Sequence, residues 1–168
     1  MFIRSTWAVM NRQPLRPPGA LPEREFLAAC IRCGKCAQAC PYRSIRMAGL
    51  LDGVALMGTP VIRARETPCF LCMKCPPVCP SGALKRTVRR KEDVRMGEAL
   101  IDKKTCLAWE GTLCRSCYDD CPLQNEAIIM DAELRPVVDE KKCVGCGICE
   151  NVCPTEPAAV TVRPKGGV

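Results

Sequence analysis

Sixteen cysteines fall into four groups along 168 residues, and every group closes on Cys-Pro. "CIRCGKCAQACP" supplies Cys30, Cys33, Cys36 and Cys40 before Pro41, and "CFLCMKCPPVCP" supplies Cys69, Cys72, Cys75 and Cys79 before Pro80. "CVGCGICENVCP" supplies Cys143, Cys146, Cys149 and Cys153 before Pro154, so three copies share one spacing without a mismatch. The remaining copy, "CLAWEGTLCRSCYDDCP", opens its first gap to seven residues, giving Cys106, then Cys114, Cys117 and Cys121 before Pro122. Spacing this tight restricts the chain severely. Disulfides between such near neighbours would close loops too small to constrain anything. A zinc site takes four ligands, usually as two separated pairs, which leaves a third cysteine at the same spacing surplus. Histidine is absent, which removes the commonest general base and the commonest metal ligand.

The spacing that remains is that of the bacterial ferredoxin loop. Thiolates at i, i+3 and i+6 wrap three irons of a cubane, and the cysteine before proline ligates the cluster of another motif. Four motifs then make four 4Fe-4S clusters, with all sixteen cysteines as cofactor and metal ligands. Two pairings satisfy this rule: adjacent (motifs one with two, three with four) and nested (one with four, two with three). The nested form is the expectation, because a single continuous domain then closes on itself and Cys40 reaches toward the loop carrying Cys153.

The flanking segments repeat as well. Behind each Cys-Pro come "SIRM" (44–47), "ALKRTV" (83–88), "AIIM" (127–130) and "AVTV" (159–162), each read as a helical turn followed by a short strand. Ahead of three motifs lie return strands in "TPVIRARETPC", "EALIDKKTC" and "RPVVDEKKC". "LPEREFLAAC" reads as a helix, which leaves the first motif without an incoming strand. The expected fold is α+β: tandem or nested bacterial-ferredoxin-like modules, with four cluster-binding loops, short helices and short β-hairpins. Residues 1–25 are expected as an extended Pro-rich arm, since "RQPLRPPGALP" (12–22) carries four prolines. Residues 26–168 form the four-cluster ferredoxin domain, with motifs at 30–41, 69–80, 106–122 and 143–154.

The formal charge of +7 counts thiols as neutral. Each oxidised cubane with its four thiolates carries a net charge of about −2, so four of them bring the chain to about −1. Nucleic acid is thereby excluded as the expected partner. The basic run "LKRTVRRKEDVR" reads as a solvated hairpin, with docking of an acidic redox partner as the alternative. Asp119 and Asp120 are expected to lower the potential of a nearby cluster unless they face water. Trp109 is expected either to shield that cluster or to fill a gap under the loop. "MAGLLDGVALMGTPVI" (47–62) is too short, and too broken by Asp52, glycines and Pro60, to span a bilayer; it reads as a surface helix. "MFIRSTWAVM" is neither a complete signal peptide nor a transmembrane helix. No base, nucleophile or substrate pocket is legible, so no catalytic residue is expected.

From about Leu15 to Arg163 the chain resembles the NapG/MauM family of ferredoxin-type proteins. The residues that carry this are "LRPPGALPEREFLAACIRCGKCAQACPY", "GTPVIRARETPC", "CPSGAL", "VRMGEALID", the stretched "CLAWEGTLCRSCYDDCP" and the closing "CVGCGICENVCP". The seven-residue gap between Cys106 and Cys114 discriminates most, since ordinary ferredoxins lack it. The resemblance implies a non-catalytic electron-transfer subunit of a membrane-linked respiratory complex. Its partners would be a quinol-oxidising membrane protein, a catalytic oxidoreductase subunit, or both, and it would have no transmembrane helix of its own. It implies the periplasmic side of a bacterial membrane, while the missing twin-arginine leader leaves the cytoplasm open. An assembly factor that supplies electrons or clusters to a partner enzyme is the alternative.

Overall fold

The computed structural model describes residues 13–165. The decapeptide "MFIRSTWAVM" and the beginning of the expected arm lie outside the described residues.

Each half of the chain is built around one hairpin. In the first, β1 (Ile45–Met47) pairs antiparallel with β2 (Pro60–Ile62), Ile45 opposite Ile62. In the second, β4 (Ile128–Met130) pairs with β5 (Pro136–Val138), Ile128 opposite Val138. A second ladder closes the C-terminal half: β3 (Gly97–Ile101) runs antiparallel to β6 (Val160–Pro164), Ala99 opposite Val162. The N-terminal half closes differently. Its ladder is reduced to a bridge between Ala20 and Leu84, where the Lys85 amide donates to Gly19 O (2.7 Å) and the Leu21 amide to Ala83 O (3.1 Å). The Pro-rich segment thus supplies the incoming strand that the first motif lacks, and "ALKRTV" is not a strand. Prolines cannot donate to a ladder, which limits the pairing to single bridges. Gly19 has φ +79°, and a Cβ there would stand 2.9 Å from Lys85 O, so only glycine permits the approach.

Arg16 holds this segment down from inside. It is 5% exposed, and its guanidinium pairs with the Glu23 carboxylate (Nε to Oε2, 2.9 Å). It also donates to Thr59 Oγ1 and Pro60 O, both at 2.8 Å, and lies 4.6 Å over the Phe26 ring. Glu23 and Phe26 belong to α1 (Glu23–Ala29), the helix expected ahead of the first motif, so one buried cation ties segment, helix and hairpin together.

The helical turns contain the third cysteine of their motifs, Cys36, Cys117 and Cys149, rather than following Cys-Pro. They are α2 (Lys35–Gln38), α3 (Ser116–Asp119) and α4 (Ile148–Asn151). The second motif has none, because Pro76 and Pro77 occupy the turn and remove its amide donors. Behind Cys-Pro the chain instead reverses through a left-handed residue: Arg43 (φ 53°), Gly82 (φ 77°) and Asn125 (φ 63°) in the first three motifs. Residues 47–62 are not a surface helix. They form the ends of β1 and β2 and a loop with one 3-10 turn, Leu50–Asp52, from which Leu50, Leu51, Val54 and Met57 project into solvent. The basic run is no hairpin either, but a linker whose Val88 and Val94 are buried.

Few large side chains are available for a core, and thiols take their place. Cys36, Cys69, Cys75, Cys79, Cys117, Cys143, Cys146 and Cys149 pack with Phe26, Leu84, Val94 and Ile128 in one apolar cluster that runs through both halves.

Candidate metal centres

The sixteen thiols line four separate cavities, four to each. Cys30, Cys33 and Cys36 share cavity A (≈ 320 Å³) with Cys79, against Phe26, Met47 and Leu84. Cys69, Cys72 and Cys75 share cavity B (≈ 300 Å³) with Cys40. Cys143, Cys146 and Cys149 share cavity C (≈ 340 Å³) with Cys121. Cys106, Cys114 and Cys117 share cavity D (≈ 350 Å³) with Cys153. Every fourth cysteine therefore serves another motif's cavity, but the exchange is between neighbours in sequence. The nested expectation is overturned, and Cys40 lies with Cys69, Cys72 and Cys75 instead of near Cys153. The reason lies in the closures described above: each half completes its own strand pairing and brings its two loops together locally.

Local backbone explains how the loops curve around these cavities. In three motifs the residues flanking the second cysteine are left-handed: Arg32 and Gly34 (φ 57° and 71°), Leu71 and Met73 (54° and 53°), Gly145 and Gly147 (71° and 85°). Such residues alternating with right-handed ones gather successive amides into an anion-binding concavity. For Arg32, Leu71 and Met73 the conformation costs roughly 1–2 kcal/mol each, strain of the sort that persists at binding sites. The stretched motif reaches the same end by a run of turns, in which Cys106 O accepts from the amides of Trp109 (2.9 Å) and Glu110 (3.1 Å).

Burial governs the thiols. It pushes Cys36 and Cys146 up to about 11 and Cys69 and Cys117 up to about 12, and it raises Cys75 and Cys149 strongly as well. Such thiols keep their protons until a cationic core displaces them. Cys79 and Cys153 behave differently. Burial raises both, yet hydrogen bonds outweigh it and hold them below the usual thiol range. The Ser81 hydroxyl lies 3.7 Å and the Leu84 amide 3.5 Å from Cys79 Sγ, and the Thr155 hydroxyl lies 3.2 Å from Cys153 Sγ. Four cysteine thiols at each cavity are the donor set that a 4Fe-4S cluster takes.

The cavities form a row. Cys36 of A acts electrostatically on Cys75 of B, Cys146 of C on Cys69 of B, and Cys117 of D on Cys149 of C. Across the seam between the halves the Cys69 amide donates to Cys146 O at 2.9 Å. The spatial order is therefore motif one, two, four, three.

Asp119 pairs with Arg115 (2.7 Å) on the exposed face, and Asp120 is exposed, so both face water. Trp109 donates to Pro136 O (3.2 Å), which anchors the stretched loop to β5, has Lys103 and Arg135 over its ring, and packs beside Cys114 and Cys153. In the basic linker, Arg86 donates to Cys79 O (2.9 Å) and Lys91 to Pro122 O (2.7 Å), so two of its cations fasten main chain beside the cavities. Sequence reasoning missed Ser81, Thr155 and Arg65. The first two carried a signal, because Cys-Pro is followed by Ser or Thr in motifs two and four and by Tyr or Leu in the others.

Four thiol-lined cavities with exchanged fourth cysteines on paired short ladders define an iron–sulfur protein of ferredoxin type. Residues 29–83 match a family described as a 4Fe-4S dicluster domain, and residues 99–161 match a second family of the same description. Two dicluster domains and sixteen cysteines fit four 4Fe-4S clusters. The chain is 44% identical over 163 residues to the ferredoxin-type protein NapG of Escherichia coli (strain K12), covering 89% of this chain and 70% of that protein. It is 44% identical over 161 residues to the methylamine utilization ferredoxin-type protein MauM of Methylorubrum extorquens, covering 90% and 73%. NapG of Haemophilus influenzae is 43% identical over 165 residues, covering 90% and 59%. The chain belongs to the NapG/MauM family of ferredoxin-type proteins. Among the described residues no helix is long and apolar enough to cross a membrane.

Proposed function

We propose that each thiol quartet ligates one 4Fe-4S cluster and that the protein carries electrons, one at a time, between redox subunits of a membrane-associated respiratory complex. The clusters would supply reversible one-electron redox chemistry, and the chain's own task is to hold them, shield them and set their spacing. The observation that carries this reading is the set of four cavities, each lined by four cysteines. A carrier with a terminal cavity at each end suits a donor and an acceptor on different chains. Following the family, we take these to be a quinol-oxidising membrane protein, a catalytic oxidoreductase subunit, or both, on the periplasmic side of the membrane. We treat residues 26–168 as one four-cluster domain, a reading supported by the apolar cluster that runs through both halves, with residues 1–25 as its arm.

Iron and acid-labile sulfide analysis of anaerobically purified protein tests the proposal. About 16 iron per chain is expected. About four zinc, with no visible charge-transfer absorption, would overturn it.

A further inference from the structure

One side chain makes several of the hydrogen bonds across the seam between the halves. Arg65 lies just beyond β2, in the N-terminal half. Its Nη1 donates to Glu150 O (2.7 Å) and Cys153 O (2.8 Å), and its Nη2 to Thr155 O (3.0 Å) and the Glu156 carboxylate (2.9 Å). Asn151 returns a hydrogen bond from its amide Nδ2 to Arg65 O at 2.9 Å. Glu150 and Asn151 end α4, where carbonyls have no partner within the helix and the helix dipole favours a cation. A donor from the other half of the molecule fills that role. The Glu156 carboxylate is 82% exposed, so its ion pair adds little; the carbonyl contacts are what bind. They need a planar fork with several donors, which lysine does not offer.

The residue before Arg65 makes the second contact. A Cβ on Gly147 would stand 2.4 Å from Ala64 Cβ, so the loop of cavity C lies directly against the main chain that carries Arg65. Four residues on, the Cys69 amide meets Cys146 O. The segment 64–69 therefore touches the loop of C through Ala64 and Cys69, and the main chain beside Cys153 of D through Arg65.

We infer that Arg65 is a positioning residue: it clamps the N-terminal half onto α4 and so fixes the spacing between cavities B and C, the one junction in the row where electrons must pass from one half of the chain to the other. This rests on the electron-carrier reading above. At that junction one cluster is oxidised by one electron and its neighbour reduced by one; no bond forms and no proton moves, so spacing and relative potential are what the chain controls.

The test uses the anaerobically purified full chain with Arg65→Gln and Arg65→Lys. Amide hydrogen exchange at 64–69 reads the clamp without reference to the clusters, and about tenfold or faster exchange is expected in both variants. In fully reduced protein, electron paramagnetic resonance should show weaker spin coupling between the clusters of B and C in both. The potential of cluster D should fall in Arg65→Gln and stay near wild type in Arg65→Lys, which keeps the charge and loses the fork. Wild-type exchange and wild-type coupling in Arg65→Gln would overturn the inference. If that variant fails to load iron, Asn151→Ala, which removes the return hydrogen bonds to Arg65 O and Glu66 O and leaves the Arg65 guanidinium in place, takes the same two measurements, and unchanged values overturn the inference equally. Wild-type protein without iron would sink the electron-carrier reading instead, and the exchange measurement would still judge the clamp.

Discussion

Cys79 and Cys153 are the crossing cysteines of cavities A and D, the two ends of the row, and each has a hydroxyl within reach of its sulfur. A hydrogen bond to a cluster sulfur stabilises the more negative, reduced state and raises the potential. Ser81→Ala and Thr155→Ala should therefore lower the potentials of clusters A and D respectively and leave those of B and C in place. If each hydrogen bond favours the reduced state by about 1 kcal/mol, the shift is about 40 mV for a one-electron couple. A redox titration followed by electron paramagnetic resonance measures it, and equal shifts in all four clusters would contradict the assignment. Cys40→Ser offers a sharper check on ligand exchange: the cluster of Cys69, Cys72 and Cys75 should change its signal, while that of Cys30, Cys33 and Cys36 keeps its own. Cysteine spacing is legible by eye, so the four groups of thiols were readable in the sequence. The hydroxyls were hidden because Ser and Thr after Cys-Pro look like ordinary turn residues until their distance to sulfur is known.

At the level of elements, the hairpins and the β3 strand were readable because apolar triplets such as "IRM" and "PVV" sit between turn residues at fixed distances from the cysteines. The helical turns were misplaced because a four-residue helix has no periodicity to read; its position follows from Gly34 and Gly147 entering left-handed. The incoming strand of the first half was invisible because prolines mask it. What replaces ladder hydrogen bonds there is the buried Arg16, and this has a measurable consequence. Arg16→Leu leaves the Glu23 carboxylate, 17% exposed, without its partner and removes the cation from Phe26. Breaking one side of a buried pair costs about 3 kcal/mol, enough to lower the temperature at which visible absorption bleaches by roughly 6–12 °C. Bleaching at the wild-type temperature would show that the prolines alone fix the segment.

Across the whole molecule, cysteines make up about a third of the buried core, and this determines how folding and loading are linked. The largest fully buried side chains are Phe26, Leu84 and Ile128, too few to order a chain of this length unaided. Removal of iron with a chelator under reducing conditions should leave a largely disordered apoprotein by circular dichroism, and a well-folded apo form would show that the apolar contacts suffice. Motif pairing belongs to this scale and was the feature that sequence reasoning missed. Spacing says that the fourth cysteine leaves its loop but not where it goes; the destination depends on which strands close which half, and that is a long-range property.

Adjacent exchange also sets a timetable for biosynthesis. Once Leu84 and Lys85 have met Gly19 and Ala20, every thiol of cavities A and B is in hand, and nothing from the later half of the chain is needed to fill them. A nested arrangement would have kept Cys40 waiting, reactive and unpartnered, until the last motif had been translated. Here the early half can be metallated while the ribosome is still at work on the rest, and it is then ready as a finished surface on which the later half assembles.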